Sequence, residues 1–120
     1  MNEYQLQILD NYKHPRNWGK PIWTPTHTAH LENTQCGDEL TAFLQVENGI
    51  IKNINFEGEG CSIAIASASL LSQRIKGMSL SEFKSQITKK ELLELVGIDL
   101  TTLREKCALL SLEVTKKSLN

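Results

Sequence analysis

Leu40-Thr41-Ala42-Phe43-Leu44-Gln45-Val46-Glu47, then Asn48-Gly49, then Ile50-Ile51-Lys52-Asn53-Ile54-Asn55-Phe56 is the most structured signal in this 120-residue chain. Leu40, Ala42, Leu44 and Val46 alternate with Thr41, Phe43, Gln45 and Glu47, the period of a strand with one buried face. Asn-Gly suits a type I′ turn, whose two central residues need positive φ, so the segment predicts an antiparallel hairpin. An earlier strand near Thr28 to Glu32 would make three antiparallel strands. Cys36-Gly37-Asp38 then falls in the loop between the first strand and the second, at one end of the sheet, where sites collect.

Toward the amino end, Tyr4, Ile8, Leu9 and Tyr12 recur at helical spacing, and His14-Pro15 stops the pattern. Residues 16–28 contain Asn17, Gly19, Pro21, Pro25 and the two tryptophans without any period, and predict an irregular connection. Trp18 and Trp23 are expected to pack against the sheet rather than to stack on a ligand.

Past the hairpin, Gly58-Glu59-Gly60-Cys61 leads into Ser62-Ile63-Ala64-Ile65-Ala66-Ser67-Ala68-Ser69-Leu70-Leu71, a helical run of small residues that Gly77 ends. Cys61 is placed at or just before the helix start, where unpaired N–H groups and the helix dipole favour a thiolate. Its flanking glycines are expected to clear space around the sulfur. Ser79 with Glu82, Thr88 with Glu91 and Thr102 with Glu105 read as three capping boxes, each opening a helix, with Gly97 closing the second. The last helix carries Leu103, Cys107, Leu110 and Val114 on one stripe, which puts Cys107 on the buried face.

One domain, residues 1–120, is expected, because the chain is long enough to bury a core unaided and its 40% apolar and 22% charged residues are ordinary for a globular fold. A net charge of -1 gives no electrostatic footprint for nucleic acid. Three cysteines, an odd number, and no signal-peptide pattern fit a reducing cytoplasm. The most apolar run, Cys61 to Leu71, is too short to span a membrane.

The thiol of Cys36 and the carboxylate of Asp38, with a glycine between them, can point at one cation. Cys61 and Cys107 could complete an S3O tetrahedron. Isolated cysteines also occur as small buried hydrophobes, and both readings stand on residue types alone.

Several stretches in order resemble the U-type proteins of iron–sulfur cluster assembly: the IscU and SufU branches and the amino-terminal domain of NifU. They are Ile8-Leu9-Asp10-Asn11-Tyr12-Lys13-His14-Pro15-Arg16-Asn17, then Cys36-Gly37-Asp38, then Phe56-Glu57-Gly58-Glu59-Gly60-Cys61-Ser62-Ile63-Ala64-Ile65-Ala66-Ser67-Ala68-Ser69, and last Lys106-Cys107-Ala108-Leu109. The resemblance implies an α+β fold, a three-stranded antiparallel sheet with helices packed on one side, and a metal site at one exposed end. It also implies Cys36, Asp38, Cys61 and Cys107 as ligands of Zn2+, iron or a transient iron–sulfur cluster. A cysteine desulfurase as sulfur donor and downstream iron–sulfur acceptor proteins follow as partners, and a carrier or scaffold rather than an enzyme.

Lys106 stands where the IscU branch has histidine, and no Leu-Pro-Pro-Val-Lys stretch precedes it. The basic residue before the last cysteine and the wording Gly-Glu-Gly-Cys-Ser-Ile resemble the SufU branch, whose members bind zinc and accept persulfide sulfur. The SufU insertion between the second and third cysteines is missing. Within this picture Cys36, on a loop, is the expected sulfur acceptor, and Lys106 offsets the negative charge of the thiolates. A hydrolytic zinc enzyme is disfavoured, because four protein ligands leave no open water position. A structural zinc module stays as an alternative. His27 and His30, an i, i+3 pair on a strand, point to opposite faces and read as surface residues rather than joint ligands.

Overall fold

The computed structural model describes residues 1–120. Three strands, β1 (His27–Asn33), β2 (Asp38–Glu47) and β3 (Ile50–Glu59), form an antiparallel sheet in the order β1-β2-β3. Five helices accompany it: α1 (Glu3–Lys13), α2 (Ser62–Ile75), α3 (Leu80–Gln86), α4 (Lys89–Val96) and α5 (Thr102–Leu119). This is the α+β architecture expected, with helices on one face of the sheet and the other face carrying mostly polar side chains beside Phe43.

The hairpin forms as its chemistry requires. Asn48 and Gly49 take φ of 51° and 74°, as a type I′ turn needs, and Glu47 faces Ile50 across it. Leu40, Ala42 and Leu44 are buried while Thr41, Phe43 and Gln45 are half-buried, so the alternation predicted for β2 holds. Along β3 it breaks: Ile51 and Ile54 are both buried although three residues apart. The register shifts between Gln45 and Val46, where Lys52 is an extra residue on β3, and this bulge turns both isoleucines to the core. With Phe56, Leu71, Phe83 and Leu112 they belong to the main apolar cluster between sheet and helices. Trp18 packs against that cluster and bridges Phe56, which supports packing over ligand stacking.

Helix α1 exposes Tyr4 and Tyr12 and buries Ile8 and Asn11, so its docked face is rotated from the expected apolar stripe. Polar chemistry explains the rotation. Ser69 of α2 donates to Asn11 Oδ1 at 2.6 Å, Gln73 Nε2 donates to the same oxygen at 3.0 Å, and the Arg16 N–H donates to Ser69 Oγ at 2.9 Å. The small residues of α2 thus admit a hydrogen-bonded seam.

Of the three capping boxes, Ser79 with Glu82 is complete in both directions. Thr88 caps α4 through the Glu91 N–H without the return bond. Helix α5 is capped by Thr101, which accepts from the Arg104 N–H at 3.3 Å, so the box expected at Thr102 and Glu105 does not form, and Arg104 cannot return a bond to the cap. In a Thr-Thr pair either residue can cap, and here Thr101 also accepts the Glu105 N–H through its carbonyl, opening the helix one residue earlier. Leu103 is 46% exposed and off the predicted stripe, while Cys107, Leu110 and Val114 are buried.

Candidate metal centre

The centre is assembled at the end of the sheet where β1 turns into β2. Thr34-Gln35-Cys36-Gly37 make that turn, the Cys36 N–H donating to the Asn33 carbonyl at 3.2 Å and Gly37 taking φ of 71°. Asp38 is the first residue of β2, paired with Asn33, rather than part of the loop. Its side chain is buried. Cys61 is the residue before α2, and Cys107 lies in the second turn of α5, fully buried. Cys36 and Cys61 are half-buried.

Cys36, Asp38 and Cys107 present ligand atoms that all lie within 4.8 Å of one another. The sulfurs of Cys36 and Cys107 are 2.8 Å apart. Cys61 joins through Asp38: its N–H donates to Oδ1 at 2.8 Å, and its sulfur lies 3.8 Å from Oδ2. The Asp38 carboxylate therefore occupies the amino terminus of α2, giving a helix without a side-chain cap of its own both an acceptor and a favourable negative charge.

Gly60 has a role other than the one expected. A Cβ there would sit 2.7 Å from Asp38 Oδ1, so the missing side chain makes room for the carboxylate, not for the sulfur. Gly60→Ala is expected to push Asp38 off the Cys61 N–H and to weaken metal binding about tenfold or more, as loss of an orienting contact does. Competition with a chromogenic zinc chelator reads this out. Wild-type affinity in a folded Gly60→Ala protein would deny Asp38 its orienting contact.

Burial above all, then hydrogen bonds with Cys36 and Asp38 and the charges on Cys61 and Asp38, push the Cys107 thiol well up from its ordinary value. Acidic groups crowded this closely release their protons together only to a cation, and soft sulfur donors with one carboxylate fit Zn2+ or iron. Lys106 does not touch the sulfurs. Its ammonium lies 3.5 Å from Gln35 Oε1, next to Cys36, so it reaches the turn that carries the thiol. Gln35 had no sequence signal beyond that adjacency.

Such a domain, a three-stranded sheet with a helical layer and three thiols and a carboxylate meeting at one end, is a metal- or sulfur-handling module by its chemistry. The profile of the NifU-like N-terminal domain matches residues 3–120, and the chain belongs to that family of iron–sulfur cluster assembly proteins. It is 33% identical to the zinc-dependent sulfurtransferase SufU of Bacillus subtilis, over 95% of this chain and 87% of that one. The iron–sulfur cluster assembly scaffold protein IscU of Thermotoga maritima is 40% identical over 73% of this chain and 61% of its own. Among solved structures, a candidate SUF-system scaffold from Fervidobacterium islandicum shares the fold with a TM-score of 0.80 at 22% identity, covering 100% of this chain and 96% of that one.

Proposed function

We propose that this iron–sulfur assembly protein is a zinc-holding sulfur acceptor, with Cys36, Asp38, Cys61 and Cys107 as ligands and a cysteine desulfurase as donor. The observation that carries the reading is the meeting of Cys36, Cys107 and Asp38, with Cys61 bonded to the same carboxylate. Bound zinc would supply positive charge that keeps the thiols deprotonated near neutral pH.

Cys36 is the acceptor because it alone of the three sits in a turn, half-buried, whereas Cys107 is fully buried within α5 and Cys61 is held at the start of α2. Its thiolate attacks the outer sulfur of the desulfurase persulfide. A new S–S bond forms at Cys36, the donor's S–S bond breaks, and the donor cysteine leaves as a thiolate, with no net oxidation. Lys106, through Gln35, positions the turn during this exchange.

The same four residues, Cys36, Asp38, Cys61 and Cys107, would equally hold iron and sulfide, and the likeness to the Thermotoga maritima scaffold favours keeping this second reading. Metal analysis of freshly purified protein, with an absorption spectrum after anaerobic incubation with iron, cysteine and a desulfurase, separates them. A colourless zinc protein carrying persulfide on Cys36 is expected. A brown protein with a stable cluster and no persulfide would overturn the carrier in favour of the scaffold.

A further inference from the structure

We propose that the side-chain amide of Asn33 is the hydrogen-bond donor that holds the added sulfur once Cys36 carries a persulfide. The inference rests on the sulfur-acceptor reading and adds to it a residue outside the four ligands. Asn33 Nδ2 is buried yet has no hydrogen-bond partner. The one other buried side-chain atom in that condition is Ser67 Oγ, inside α2. A donor shut away without an acceptor is costly, and it calls for a partner that arrives later.

The placement of Asn33 points to that partner. It is the last residue of β1 and stands opposite Asp38 in the register. Side chains alternate along both strands, so Asn33 shares the inner face with Leu31, Leu40 and Asp38. On that face the Asp38 carboxylate meets the sulfurs of Cys36 and Cys107. The Asn33 carbonyl accepts the Cys36 N–H at 3.2 Å, which ties the amide to the turn that bears the thiol. Asn33 also lines one recess with Lys106 and Leu110, either side of Cys107 on α5, and another of about 260 Å³ with Gly37 and Asp38, the two residues after Cys36.

Other donors around the thiols are engaged. The Cys61 N–H bonds to Asp38, the Cys36 N–H to the Asn33 carbonyl, and Lys106 Nζ to Gln35. Nδ2 bonds to neither thiol as they stand. A persulfide carries its outer sulfur about 2 Å beyond Sγ, a step that the recess beside Gly37 can hold. Negative charge on a persulfide lies mainly on that outer atom, and an N–H bond to a charged acceptor is about twice as strong as one between neutral groups. The amide thus offers the anionic cargo a donor where Asp38 offers only repulsion.

Wild type, Asn33→Leu and Asn33→Asp, as purified, are charged with inorganic polysulfide or with a cysteine desulfurase and cysteine. A small external thiol then attacks the outer sulfur, Cys36 leaves as a thiolate, and the sulfur remaining on the Cys36 peptide is followed by mass spectrometry after alkylation. Both variants are expected to lose it about tenfold faster or more, the factor for a lost bond to a charged group. Melting temperature and zinc affinity of uncharged Asn33→Leu should match the wild type, because Nδ2 bonds to nothing there. A role confined to holding the turn would lower both. Equal lifetimes in all three proteins, or faster loss only where melting temperature and zinc affinity also fall, would overturn the assignment. Charging of the wild type by polysulfide but not by the desulfurase would fault the acceptor reading instead, with the lifetimes still deciding the part of Asn33.

Discussion

Cys107→Ser is expected to abolish stable zinc binding while leaving the metal-free fold nearly intact. The thiol is buried, and a serine there would seem to strand a hydroxyl in the core. The Cys107 sulfur, however, lies 3.5 Å from the Leu103 carbonyl one helical turn back, and a serine hydroxyl can donate to that oxygen. The cost to the metal-free protein is therefore about 1 kcal/mol, the low end for a disturbed buried polar group. A larger effect appears with metal. At a zinc concentration a hundred times Kd the wild type gains about 2.7 kcal/mol from binding, and the variant forfeits that gain. Thermal melts with and without zinc measure both terms. Equal zinc-induced shifts in the two proteins would make Cys107 a packing residue only.

Asp38→Ala is expected to combine two losses that the structure superimposes on one carboxylate. Removing Oδ1 leaves the part-buried Cys61 N–H without its acceptor, worth about 1 kcal/mol, the low end for a lost partner. Lost charge at the start of α2 adds about 0.3–1 kcal/mol. Asp38→Asn keeps an acceptor and discards the charge, so comparing the two separates capping from ligation. For a zinc carrier, both variants should lose zinc and stimulate the desulfurase weakly while remaining colourless, because the thiolates lose the carboxylate that completes their shell. For a scaffold, Asp38→Ala should instead trap a brown, oxygen-tolerant cluster, because the exchangeable oxygen ligand is gone. Full zinc and full stimulation in Asp38→Asn would leave Asp38 as a cap alone.

The hairpin was legible because turn chemistry and alternation agree at Asn48-Gly49. The Lys52 bulge was not, because a single extra residue leaves the composition of β3 unchanged while reversing which side chains face inward. Helix starts were readable to within one residue, as the shift from Thr102 to Thr101 shows. At the site, residue types suggested a cation near Cys36 and Asp38, but their meeting with Cys61 and Cys107 rested on resemblance, since no short spacing links them. Asp38 as the cap of α2 and Gly60 as its clearance follow from the approach of β2 to the start of α2, a tertiary fact.

Cys36 and Asp38 come from the β1–β2 junction, Cys61 from the end of the hairpin, and Cys107 from the helix that packs last in chain order against α2 and β1. No contiguous portion of the chain short of residues 36–107 carries all four donors. A nascent or proteolytically clipped chain that lacks α5 offers at most two thiols, however well its hairpin has formed. Under the proposed ligand set, metal retention would thus report on completed folding, because the full donor shell exists only once the carboxy-terminal helix has docked.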